Sequence, residues 1–260
     1  MMSYGSYLRL DKILDAQEPL SQAHGELLFI IQHQTSELWM KLAIHELGAA
    51  CRQIAADELR SACRTFSRVA RIQEQLNSAW DVLRTLTPSD YAAFRAELRQ
   101  SSGVESHQYR MLEYIAGNKA PAPRGLAEQD PVAYARLEAV RRSPSVYDEA
   151  IRAPARSGFA IDPIALQSGI SSRPPPDESV LAAWVSVYRE PDRHPDFYEL
   201  AEKLVDFEGH FRRWRFNHMT TVERVIGFKQ GTAGTAGVPF LRQRLDVVLF
   251  PELWQARSEL

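Results

Sequence analysis

Apolar positions recur along most of this chain at three- and four-residue steps, the period of an α-helix. Residues 21–56 keep that spacing for many turns. Residues 59–86 repeat it through Leu59, Cys63, Phe66, Val69, Ile72, Leu76, Trp80 and Leu83. "LTPSDYAAFRAEL" predicts a helix start: Thr87 is the N-cap, Pro88 takes the first helical position, and Asp90 faces the positive helix end. "SSGVESHQYRMLEYIAGN" predicts another helix, stopped at Gly117-Asn118. Residues 120–130, rich in Pro and Gly, read as a loop. Shorter helices are expected over 131–152 and 179–190, parted by "SSRPPPDES". One long amphipathic helix is expected from Asp196 to Phe228, then the flexible "KQGTAGTAGVP", then a short closing helix. No β-alternation of useful length and no internal repeat interrupts this pattern. The expectation is an all-α fold, one domain over residues 1–260, with a helical bundle at its centre.

Composition narrows the class without naming a function. The chain has 260 residues, 45% of them apolar, enough for a large core. Lys+Arg 31 against Asp+Glu 33 leaves a formal charge of −2, so no basic surplus points to nucleic acid. The run Leu27 to Ile31 is far too short to span a bilayer, and no signal peptide precedes Tyr4. Cys51 and Cys63 form no CxxC pair and suggest reduced thiols in a cytoplasm.

Most familiar motifs fail. His45-Glu46 begins like HExxH, but position 49 is Ala; a solvated helix face is the better reading. "GTAGTAG" lacks the preceding strand and following Lys of a phosphate cradle; a flexible linker and a lid closing on a ligand stand about even. In "FIIQHQTSELWMKL", Phe29, His33 and Glu37 share one helix face. His33 is then a satisfied core histidine or the single polar group of a pocket, and the spacing by itself favours the core. Tyr91, Phe94, Arg95 and Leu98 form a second stripe, suited to a flat ring carrying a carboxylate, or simply to an Arg reaching out from a packed helix. Trp214, His218, Thr221, Val222 and Val225 fall on one side of the long helix. A lone His among aromatics is the way a protein holds haem iron from one side, and it is also a common core residue. There is no CxxCH, so any haem would be held without covalent attachment.

Five segments taken together resemble the tryptophan 2,3-dioxygenase family: "YGSYLRLDKIL", "LLFIIQHQTSELWMKL", "LTPSDYAAFR", "SSGVESHQYRMLEYIAGNK" and "WRFNHMTTVERVIGFKQGT". They occur in the family's order and cover nearly the whole chain. The resemblance implies an all-helical, indoleamine/tryptophan dioxygenase-like fold with haem b between helices. It also implies O2 as co-substrate and cleavage of the indole C2–C3 bond of L-tryptophan to give N-formylkynurenine. By motif, His218 resembles the axial iron ligand, and His33 the distal histidine that faces the indole N–H without binding iron. Phe29 resembles a wall of the indole pocket, and Leu98 would lie near the ring. Tyr91 and Arg95 resemble the pair at the substrate's amino-acid end, with Arg95 on the carboxylate; Thr232 resembles the residue that closes over that end. Trp80, Ser102, Gly103 and Tyr109 resemble the haem surroundings. Tyr4, Tyr7 and Leu8 resemble an N-terminal segment completing a neighbouring site in a homotetramer built as a dimer of dimers.

Three departures bear on specificity. The stretch before Tyr4 is shorter than the family's, the glycine-rich segment carries Thr and Ala where Gly and Ser are usual, and "SSRPPPDES" matches no family role. Relatives in secondary metabolism use this scaffold on modified tryptophans such as β-methyltryptophan, one type giving a 2-oxindole by inserting a single oxygen. Those form the first alternative, since one methyl group changes binding by only ~1–3 kcal/mol. A non-catalytic haem carrier or sensor would need His218 but not the Phe29, Arg95 and Thr232 arrangement. A plain helical interaction protein would need none of them.

Overall fold

The chain is described from a computed structural model, which covers residues 2–99, 101, 103–122, 126–167, 176–232 and 234–260. Every regular element among them is helical. In chain order these are α1 (Tyr4–Leu8), α2 (Leu10–Ile13), α3 (His24–Ala55), α4 (Leu59–Leu83), α5 (Pro88–Ala92), a 3-10 turn (Gly103–Glu105) and α6 (His107–Ala116). There follow α7 (Leu126–Gln129), α8 (Pro131–Arg142), α9 (Val146–Arg156), α10 (Pro163–Gln167), α11 (Glu178–Arg189), α12 (Pro195–Ile226), α13 (Val238–Gln243) and α14 (Pro251–Ala256).

Three long helices make the frame. A connection of only three residues returns α4 antiparallel along α3. Asp57 takes the left-handed conformation there, φ 59°, which Asp tolerates better than most side chains. Arg156 clasps this turn, donating to Asp57 and to the Ile54 carbonyl at 2.7 Å, and so ties α9 to the hairpin. The helix α12 packs along α4, and α6 and α9 pack on α3. The principal core runs through this frame, from Leu47 and Ile54 through Phe66 and Val69 to Leu200, Leu204 and Phe207. Buried Glu208 secures α14: it accepts from the Phe250 amide at 2.9 Å and the Trp254 indole at 2.8 Å. A smaller apolar cluster of Trp80, Leu83, Leu86 and Phe94 sits at one end of α4, beside the candidate site.

Helix positions follow the periodicity closely, and the differences are local. The stretch expected as one helix over 131–152 is two, α8 and α9, because Pro144 cannot continue the first and Ser145 caps the second in a reciprocal bond with Asp148. The expected loop over 120–130 contains the short α7. Thr87, Pro88 and Asp90 start α5 as predicted, with the Thr87–Asp90 capping box complete, but regular helix ends at Ala92. Glu46 is buried and paired with Arg68 at 2.6 Å, which corrects the expectation of a solvated face; His45 is exposed. Both cysteines are free, and burial pushes each thiol up to about 12. No described helix is long and apolar enough to cross a membrane.

Candidate active site

A cavity with about 850 Å³ of empty space, part of it continuous with solvent, opens between α3, α4, α12 and the segment after α12. That lies within the ~300–1,000 Å³ range of small-molecule sites. Phe29, His33, Trp80, Tyr91, Leu98, Gly103, His218 and Thr232, all singled out from the sequence, line it. The helices α3, α4, α5 and α12, the 3-10 turn, the stretch after α5 and the loop after α12 bring them together.

The α3 wall is set by a one-turn step. Phe29 and His33 stand four residues apart, with ring centroids 4.2 Å from each other. His33 Nδ1 lies 2.7 Å from the Phe29 carbonyl oxygen. A carbonyl only accepts, so Nδ1 carries the proton, and in the neutral ring Nε2 is left as a bare acceptor. Burial lowers the His33 pKa, against the Phe29 bond and the charge of Glu37, so the neutral ring is favoured. Phe29 also packs on Tyr91 and Phe94 at 5.9 and 5.5 Å, which joins α3 to α5.

The α12 wall carries His218. Its ring stacks on Trp80 of α4, centroids 4.9 Å apart and 16° from parallel, with Trp214 at 5.4 Å. Burial, reinforced by His33, pulls the His218 pKa down to about 4, so the imidazole is neutral at pH 7. Neither ring nitrogen has a hydrogen-bond partner among the described residues. Polar rungs hold the helix in register. Arg84 at the end of α4 donates to the side chains of Asn217, Thr220 and Thr221, each at 3.0 Å, and Asn217 donates to Asn77 at 3.1 Å. The indole N–H of Trp80 is buried without a partner among the described residues.

The third wall is the loop after α12. Its glycines close it on itself: the Gly231 amide donates to the Thr235 carbonyl, and Gly237 adopts φ 68°. A Cβ on Gly237 would stand 2.6 Å from the Lys229 carbonyl, so only glycine lets the two ends pass. Thr232 donates to the Ser101 carbonyl at 2.5 Å, and Arg95 donates through Nη2 to the Gln230 carbonyl at 2.7 Å. The loop therefore lies against both flanks of the cavity mouth, where a lid would sit. Arg95 faces a shallower opening shared with Thr232, and its Nε–H is buried without a partner among the described residues. Burial raises the Tyr91 pKa although Arg95 opposes it, so Tyr91 keeps its proton at neutral pH.

A second cavity, about 480 Å³ of empty space, adjoins the first at His218, Gly103 and Leu241. Tyr109 lines it, stacked on Trp214 at 4.7 Å, together with Arg110, Arg215 and Arg244. Periodicity pointed to none of these three arginines. They come from α6, α12 and the end of α13, and nothing in their local spacing relates them. Ile226 and Leu241 also reach the first cavity; Ile226 sits two turns beyond His218 and could have been found by extending its stripe. Ser102 lies outside the described residues. Tyr4 and Tyr7 are 77% and 71% exposed and Leu8 37%; all three stand on α1, and none of them lines these cavities. Among the described residues no group of three or more His, Cys, Asp and Glu side chains could hold a metal ion.

A family model described as Tryptophan 2,3-dioxygenase matches residues 1–125 and 178–260. A protein named tryptophan 2,3-dioxygenase from Bradyrhizobium sp. (strain BTAi1 / ATCC BAA-1182) is 58% identical over 259 residues, covering 100% of this chain and 93% of the relative. A second, from Bradyrhizobium sp. (strain ORS 278), is 58% identical with the same coverage. One of that name from Burkholderia pseudomallei (strain 1106a) is 56% identical over 100% of this chain and 85% of its own length.

Proposed function

The chain belongs to the tryptophan 2,3-dioxygenase family, and from that premise we propose that it binds haem b between α3 and α12 and cleaves the indole C2–C3 bond of L-tryptophan with O2, giving N-formylkynurenine. The observation that carries this reading is the pair His33 and His218 on one apolar cavity, each neutral but differently engaged. The residues fit the cofactor. His218 is a half-buried imidazole with no competing partner among the described residues, and it lines both adjoining cavities. Trp80, Gly103 and Tyr109 line that space.

Haem iron, when bound and ferrous, supplies the chemistry with O2. The protein holds it through the neutral nitrogen of His218, which acts without first losing a proton. His33 offers Nε2 to the indole N–H and fixes which edge of the ring faces the reaction. Phe29 and Leu98 are the apolar walls that keep the ring in plane and water out. Arg95 takes the substrate carboxylate, using the Nε–H that now lacks a partner. Tyr91 stands beside it, and Thr232 closes over the ammonium and carboxylate. The chain is read as one domain, and its two free thiols agree with a cytoplasmic setting. Self-association as a dimer of dimers fits the exposed Tyr4, Tyr7 and Leu8, which would complete a neighbouring site.

The test is haem-reconstituted protein, reduced without air, then given O2 and L-tryptophan, with the product weighed by mass spectrometry. A gain of two oxygen atoms with ring opening is expected. A gain of one atom, or an unchanged substrate, would overturn the assignment.

A further inference from the structure

We propose that Arg110 and Arg244, backed by the buried charge of Arg215, are the seat of the two carboxylates of haem. The inference rests on the haem reading above and deepens it. It starts from a charge count in the second cavity. The side chains of Arg215 and Glu113 are 3% and 1% exposed, and that of Arg110 is 11% exposed. Two guanidiniums thus share one carboxylate in a nearly dry place. Both oxygens of that carboxylate are engaged: one by Arg110, the other by Arg215 at 3.0 Å and Asn118 at 3.2 Å. One positive charge is left unmatched, and an unmatched buried charge is strongly destabilising unless an anion reaches it.

The donors left over point to what that anion is. Arg215 is committed: it also donates to the Tyr109 hydroxyl at 3.1 Å and the Val247 carbonyl at 3.0 Å. Arg110 uses only Nη1, on Glu113. Arg244 has no carboxylate partner among the described residues; its guanidinium lies over the Phe240 ring, 5.2 Å from the centroid. Two guanidiniums with free N–H groups therefore border a cavity whose other walls are Tyr109, Trp214 and His218. A ligand suited to it is flat and apolar over most of its area, reaches His218, and carries anionic groups along one edge. Haem b has this distribution, with both propionates on one side of the ring. Guanidinium is the side chain best shaped to meet a carboxylate, through two parallel N–H bonds. The substrate's own carboxylate is a poor alternative occupant, because Arg95, proposed to serve it, lines a different opening, next to the lid.

Haem-free protein is titrated with haem and with iron protoporphyrin IX dimethyl ester, which lacks only the two charges, and the Soret band is followed. Wild type is expected to bind haem about tenfold or more tightly than the diester. Arg244→Gln and Arg110→Gln should each weaken haem binding and leave diester binding unchanged, so the preference shrinks towards unity. Arg244 lies outside the buried triad, so its variant remains readable if Arg110→Gln does not fold. Equal binding of both porphyrins by wild type would overturn the inference and leave the haem reading intact. Equal weakening of both porphyrins by the variants would also overturn it, by making the arginines merely structural. A failure of either porphyrin to produce a Soret shift in wild type would overturn the haem reading itself, and this inference with it.

Discussion

At the scale of single residues, the proton on His33 Nδ1 decides what the other nitrogen can do. Because that proton is given to the Phe29 carbonyl, Nε2 accepts and does not donate. His33→Ala should therefore cost tryptophan turnover the worth of one oriented bond, about 1–2 kcal/mol in kcat/KM. With 1-methyltryptophan, which has no N–H to offer, the same change should cost nothing comparable. Equal losses on both substrates would contradict an orienting role through the N–H. Arg95 makes a different kind of contact. It is only partly buried, so its pair with a carboxylate belongs at the lower end of charge-assisted bonds. Arg95→Leu should raise KM for tryptophan roughly 30-fold, about 2 kcal/mol, with a smaller effect on kcat. An unchanged KM would remove Arg95 from the carboxylate site.

Among the elements, the lid and α12 differ in what holds them. The helix α12 is fixed by side chains of α4, above all Arg84 and Asn77, so His218 has little freedom. The lid is held by its own backbone and by the Arg95 and Thr232 bonds, and a Cβ on Gly237 would meet the Lys229 carbonyl. Gly237→Ala imposes a left-handed φ on a residue with a Cβ, at a local cost of about 1–3 kcal/mol, and pushes against the Lys229 carbonyl. KM for tryptophan should rise while the Soret band and melting temperature stay nearly unchanged, since the lid carries little of the core. A shifted Soret band would show that the loop shapes the haem cavity as well. The helices themselves were legible in the sequence because each long one buries a stripe, and the stripe has the period of the backbone. The break between α8 and α9 was legible too, in Pro144 and Ser145, had turn chemistry been weighed above the apolar spacing.

Across the whole molecule, two neutral histidines couple the site to stability. In the unfolded chain an imidazole titrates near its ordinary value of about 6.5. Folding depresses both: His33 falls below that value, and His218 falls to about 4. The unfolded state therefore binds more protons as the pH drops below 6.5, and the haem-free protein loses stability across that window; above it the contribution is complete. The melting temperature of haem-free protein should fall between pH 7 and pH 5, and His218→Gln should make the fall shallower. An identical slope in the variant would show that His218 is not held neutral by the fold. The N-terminal helices belong to this scale as well. If Tyr4, Tyr7 and Leu8 complete a neighbouring site, a chain lacking residues 1–9 should keep its helical content and haem band yet lose tryptophan affinity. Retained affinity in that chain would argue that each site is complete within one copy.

Sequence by itself determined the helices, their approximate ends, and the individual stripes that carry Phe29, His33, Arg95 and His218, since these depend on a period and on caps that are local. Family wording added the likeness that tied those stripes to one reaction, with Ser102 the one expected site residue outside the described part. Spacing ranked His33 as a core residue because periodicity reports that a face is covered, without reporting by what. Only the tertiary structure decided that α3, α4 and α12 leave a cavity between those faces. The same packing gathered Arg110, Arg215 and Arg244 from distant elements to one cavity, with the Glu113 carboxylate between the first two. Those facts depend on contacts between separate helices, 102 positions apart in the case of Glu113 and Arg215, where charge balance is a property of the packed interior and not of any segment.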